Sequence, residues 1–177
     1  NTYATSNLTL EKQVTGNQGD RDKYFEFTVN ITDAVAGTVY TVNLLDAEAN
    51  PTVGDTQQTN EATLTADNSG TVKATYYLKD DQSIVIQGLT ANTKYTITED
   101  DYSTDGYTTT NDVNAADGTT TGEKTMGANN QKVTFTNDKS GTVPTGILLE
   151  TAPYVVLMLV VVAGGVALLA AKRKHSR

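Results

Sequence analysis

Alternation with a period of two recurs along the chain, and that period dictates extended strands. Leu8, Leu10 and Val14 share one face of a run, as do Phe25, Phe27, Val29 and Ile31 of the next. Tyr40, Val42 and Leu44 alternate with Val39, Thr41 and Asn43, and Val72, Ala74, Tyr76 and Leu78 fall in phase. Tyr95 with Ile97, and Val133 with Phe135, complete the series. Successive strand side chains point to opposite faces, so each run buries one face and wets the other. Gly16-Asn17-Gln18-Gly19-Asp20 and Asp80-Asp81-Gln82-Ser83 are turn clusters. Ile84-Val85-Ile86 is expected to be a strand and residues 88–93 a loop. The polar segments 46–69 and 101–130 leave room for short strands around Ala62–Leu64 and Tyr107–Val113. Many short strands with turns between them predict an all-β, antiparallel sandwich over residues 1–139.

The composition removes several kinds of chemistry. There is no cysteine, so disulfides, thiolate metal sites and cysteine nucleophiles are excluded. The one histidine is His175, near the C-terminus, so Ser-His-Asp catalysis and histidine-ligated metal have no basis in the strand region. Asp101-x-Ser103-x-Asp105-Gly106 partly imitates a calcium loop but has Asp112 where the bidentate glutamate belongs. No cofactor or metal is expected. Twenty of the 21 acids lie before residue 146 against nine Lys and Arg, a net charge of −11 there although the whole chain carries −8. Such a surface repels nucleic acid.

Three residues break the apolar faces. Lys12, Glu99 and Asn137 each occupy the inward phase of a strand. Burying an unpaired lysine lowers its pKa by about 3–5 units, a cost of about 4–7 kcal/mol. Total stabilities are only about 5–15 kcal/mol. Two readings stand side by side at this point. In one, the side chains reach solvent at fraying strand ends or form a plain ion pair. In the other, desolvation leaves Lys12 neutral and nucleophilic and Glu99 protonated, and Lys12 Nζ attacks Asn137 Cγ with loss of ammonia.

The C-terminal part has its own logic. Residues 154–171 are 18 in number and carry no charge. As a helix they would span about 27 Å, close to the hydrocarbon thickness of a bilayer. Lys172, Arg173, Lys174 and Arg177 follow directly, which predicts a single transmembrane helix with a basic cytoplasmic tail at 172–177. Residues 140–153 then form a linker, and everything upstream faces the outside. The chain opens on Asn1 without a signal peptide, as expected for a mature or C-terminal portion of something longer.

Within that linker stands Thr142-Val143-Pro144-Thr145-Gly146. With the apolar span and basic tail behind it, this resembles the cell-wall sorting signal of Gram-positive surface proteins. The usual signal reads Leu-Pro-x-Thr-Gly, and Val-Pro-Thr-Gly resembles a variant in streptococcal-type pilins. Lys12 followed by Val14-Thr15-Gly16, Gly19-Asp20 and Phe25-x-Phe27 resembles the opening of Cna B-type domains of Gram-positive pilins. Residues 95–102, Tyr-Thr-Ile-Thr-Glu-Asp-Asp-Tyr, and residues 133–137, Val-Thr-Phe-Thr-Asn, resemble that family's catalytic-glutamate strand and last strand. The resemblance spans residues 8–146 and is nearest to the C-terminal domain of streptococcal-type major pilins. It implies an Ig-like sandwich with a Lys12–Asn137 isopeptide bond formed once under Glu99, in a stalk domain that is not a turnover enzyme. It also implies a sortase as partner, cutting between Thr145 and Gly146 and joining Thr145 to peptidoglycan or a neighbouring pilin subunit. Two other functions remain compatible: a ligand-binding adhesin reading a glycan or matrix protein through residues 101–130, and a membrane-tethered module that no sortase processes.

Overall fold

The computed structural model describes residues 4–142. Residues 4–15 and 19–138 form one compact unit, and the described part of the other is residues 16–18 with 139–142. The larger unit is built from twelve strands: β1 (Thr5–Thr15), β2 (Phe25–Thr32), β3 (Val39–Leu45), β4 (Thr52–Val53), β5 (Thr56–Gln57), β6 (Thr63–Thr65), β7 (Val72–Leu78), β8 (Ser83–Thr90), β9 (Lys94–Glu99), β10 (Thr108–Asn111), β11 (Lys124–Thr125) and β12 (Gln131–Asp138). A six-stranded sheet in the order β10-β12-β1-β8-β3-β6 lies against a four-stranded sheet, β11-β9-β2-β7. The hairpin β4–β5 stands apart in the polar stretch.

The alternation translates directly into burial. Leu8, Leu10 and Val14 of β1, Phe25 to Ile31 at every second residue of β2, and Val133 and Phe135 of β12 are all buried. Together with Tyr76, Leu78, Ile84, Ile86, Leu89 and Ile97 they form one core between the sheets. Phe27 and Phe135 meet edge-to-face at 5.3 Å between ring centres, one ring from each sheet. Each fully buried aliphatic or aromatic side chain here contributes about 1.5–3 kcal/mol.

Three expectations need correction. The sandwich is not wholly antiparallel: β1 and β12 pair in parallel from Leu8↔Gln131 to Thr15↔Asp138. Period-two alternation specifies which face is buried but not the direction of the neighbour, and nothing local distinguishes the two. Second, β8 does not end at Ile86 but runs on through Gly88 and the buried Leu89 to Thr90. The register with β1 slips between Ser6 and Leu8, and Gly88 takes φ +81°. Gly88 therefore serves a β-bulge and not a loop. Third, β4, β5 and β11, two residues each, are too short to show a period.

Two of the four edge strands, β7 and β10, have local partners beyond the sheet. Asn60, 2% exposed, stands beside β7, accepting from the Tyr77 N–H at 2.8 Å and donating to the Tyr77 carbonyl at 3.0 Å. Residues 111–120 fold back over β10, where a Cβ on Gly118 would lie 1.9 Å from the Thr109 carbonyl oxygen.

Candidate cross-link site

Lys12, Glu99 and Asn137 meet in the core and are 0%, 1% and 0% exposed. The register explains how. The parallel pairing sets Lys12 opposite Phe135 and Val14 opposite Asn137, so Lys12 and Asn137 share the inner face of adjacent strands. Glu99 ends β9 in the facing sheet, opposite Phe27 of β2. The turn between β7 and β8 holds the lysine's backbone in place: Lys12 N–H donates to the Gln82 carbonyl and Asp81 N–H to the Lys12 carbonyl, both at 2.9 Å.

Lys12 Nζ donates to Asn137 Oδ1 at 2.6 Å and to the Gln13 carbonyl at 2.9 Å. Asn137 Nδ2 donates to Glu99 Oε1 at 2.6 Å. The second carboxyl oxygen, Oε2, lies 3.6 Å from Lys12 Nζ and makes no hydrogen bond. Beneath the amine is the face of Phe25, 4.4 Å from Nζ to the ring centre. Phe25 in turn packs edge-on against Tyr102 at 4.8 Å and Tyr107 at 5.3 Å.

Burial dominates the electrostatics. It pulls the Lys12 amine down from 10.5 to about 8, against the opposing attraction of Glu99. It pushes the Glu99 carboxyl up from 4.5 to about 7, although Lys12 and Asn137 favour its ionised form. Burial thus draws the two proton affinities toward each other, in the direction that favours a neutral pair. In that pair the neutral amine is a nucleophile.

The two carboxyl oxygens face different groups: Oε2 faces the Lys12 amine, while Oε1 faces the Asn137 amide nitrogen. Attack of Nζ on Cγ would form the C–N bond, and Glu99 would return the proton to Nδ2 as the Cγ–Nδ2 bond breaks. Lysine and asparagine would become one secondary amide plus ammonia, with atoms and charge balanced. Glu99 thus stands between the two nitrogens, bonded to the Asn137 amide and close to the Lys12 amine.

Some participants carried no sequence signal. Phe25 fell on the inner face, but nothing marked its ring as the floor under Lys12. Asp80 read as part of a turn, yet its Oδ1 accepts the Val14 N–H at 2.6 Å and its Oδ2 is 3.3 Å from Arg21 Nε. The partial calcium loop is otherwise employed: Asp101 accepts the Ser103 N–H at 2.8 Å, and Asp105 is 3.5 Å from Lys23 Nζ. Of the sorting motif only Thr142 falls within the described residues; Val143, Pro144, Thr145 and Gly146 lie outside them, as does the apolar run 154–171. Among the described residues no helix is long and apolar enough to cross a membrane.

Fold and relatives together define the class as a pilin-type domain. The chain is 32% identical over 183 aligned residues to a protein named Pilin from Streptococcus pyogenes serotype M1, covering 99% of this chain and 51% of that one. It is 33% identical over 148 residues to the pilus tip adhesin Cpa of Streptococcus pyogenes, covering 82% of this chain and 18% of that protein. The crystal structure of the major pilin from Streptococcus pyogenes superposes with a TM-score of 0.62 at 26% identity, over 78% of this chain and 49% of that one. The chain belongs to the family described as Domain of unknown function (DUF7601), whose model matches residues 6–139. It spans about half the length of the first of these relatives and about a fifth of the second.

Proposed function

We propose that this is a stalk domain of a wall-anchored pilus subunit or fibrous adhesin, cross-linked by a self-made Lys12–Asn137 isopeptide bond. The observation that carries the reading is the buried contact of Lys12 Nζ with Asn137 Oδ1 at 2.6 Å beside Glu99. Pilin and pilus-adhesin relatives support the setting. The topology supports the mechanics. Because β1 and β12 are parallel neighbours, tension entering β1 at its start and leaving β12 at its end loads their ladder in shear. A covalent bond between residues 12 and 137 would carry that load past the 125 positions between them. Glu99 would act once, during maturation.

In this reading a sortase cuts between Thr145 and Gly146 and joins Thr145 to peptidoglycan or to another subunit. Residues 154–171 hold the precursor in the membrane, with 172–177 in the cytoplasm, until that step. The ectodomain is extracellular. A ligand-reading surface at residues 101–130 has less in its favour, since polar groups there are spent internally. Asn111 Nδ2 alone donates to the carbonyls of Asp117, Gly118 and Thr120.

Single-molecule pulling tests the stalk reading. Stretched between its first and last strands, the wild type should show no unfolding step, and Glu99→Ala should lengthen by about 40 nm as the released residues extend. A wild-type domain that lengthens as far as Glu99→Ala would end this reading.

A further inference from the structure

The linker that leads to Thr142 is gripped along its length by the turn that follows β1. Gln18 N–H donates to the Lys139 carbonyl at 2.9 Å. Asn17 takes Gly141 with both ends of its side-chain amide: Nδ2 donates to the Gly141 carbonyl at 2.8 Å, and Oδ1 accepts the Gly141 N–H at 2.9 Å. The amide thus does for Gly141 what a neighbouring strand would do. Gly16 makes the close approach possible: it has φ +92°, and a Cβ there would run into the Lys139 carbonyl.

This clip ties the chain to the 16–18 turn as far as Gly141. Only Thr142 and Val143 then separate anchored chain from Pro144, a reach of about 7 Å, where an open linker of five residues would reach about 17 Å. An enzyme that encloses residues 142–146 in extended form has no room to work away from the turn. We propose that Asn17 is a positioning residue for the sorting reaction, so that the sortase meets the 16–18 turn together with the peptide and processes the folded domain in preference to a free tail. This inference rests on the sorting reading given above.

The test uses the full chain in detergent micelles with a sortase from a pilus-bearing streptococcus and hydroxylamine as acceptor, following cleavage between Thr145 and Gly146. Asn17→Ala should raise KM at least fivefold with kcat unchanged, while the Gly141 amide exchanges faster and ammonia loss at Lys12–Asn137 proceeds as in the wild type. Inserting Gly-Ser-Gly after Gly141, with Asn17 intact, should raise KM to the same degree because it restores the long tether. A synthetic peptide of residues 139–150 should share the higher KM. Wild-type kcat/KM in Asn17→Ala, with Gly141 exchange demonstrably faster, would overturn the proposal, as would a peptide processed as well as the folded chain. Cleavage of neither chain nor peptide would remove the sorting reading itself, and the proposal with it.

Discussion

Glu99→Gln is the most informative single change, because it keeps the size of the side chain and an oxygen for Asn137 Nδ2 while removing the proton carrier. Without the carrier the cross-link should not form. Closing a loop across the 125 positions between Lys12 and Asn137 is worth about 5 kcal/mol by chain entropy. For a domain of this size that corresponds to a fall of about 15–20 °C in Tm. A second cost falls on the lysine. A folded-state pKa of about 8 against 10.5 destabilises the fold by about 3 kcal/mol at neutral pH, and the cost fades as pH rises from about 8 through 10.5. Losing Glu99 removes the group that opposed that shift, so the cost grows. Lys12→Met separates the two effects: it also forbids the cross-link but leaves no buried amine, and Asn137 keeps Glu99 as partner. Calorimetry with mass measurement should therefore rank the wild type above Lys12→Met and Lys12→Met above Glu99→Gln. Glu99→Gln melting with the wild type, or still losing ammonia, would show that the cross-link needs no proton carrier at residue 99.

The rate of ammonia loss when chain that has not yet cross-linked is folded out of denaturant should be bell-shaped in pH. The Lys12–Glu99 pair gains a proton below about 7, leaving the amine charged, and loses one above about 8, leaving no acid. A rate that climbs steadily to pH 10 would contradict a carboxyl acting as proton carrier. Asn60→Ala should cost about 1–3 kcal/mol in denaturant melts, because the Tyr77 N–H and carbonyl lose the partner that closes the β7 edge. Thr121→Val should cost a similar amount, about 1–3 kcal/mol, since Thr121 Oγ1 accepts the buried Ile97 N–H at 2.9 Å. An unchanged melting midpoint in either variant would show that the lost bond is replaced by water.

The sequence revealed faces better than neighbours. Lys12, Glu99 and Asn137 were visible because strict alternation left them on apolar stripes, and all three are buried as that alternation requires. Alternation alone did not show that they meet, which only the family resemblance implied. The meeting depends on the parallel register of β1 with β12, a pairing between residues more than 120 positions apart. Gly88-Leu89 misled for a local reason: a glycine that ordinarily ends a strand here lets β8 bulge and continue. The turn at residues 16–18 was legible as a turn, but nothing in its composition showed what it holds. Phe25 and Asp80 likewise act through tertiary contacts that no spacing encodes.

The most direct measurement is the intact mass of the folded full chain, followed by sequencing of the peptide that contains Lys12. The mass should lie one ammonia below that of the sequence, with a branched fragment joining Lys12 to Asn137. Lys12→Ala, Asn137→Ala and Glu99→Ala should each keep the full, unreduced mass. A correctly folded wild-type chain that retains its full mass would contradict the claim that these three buried groups react.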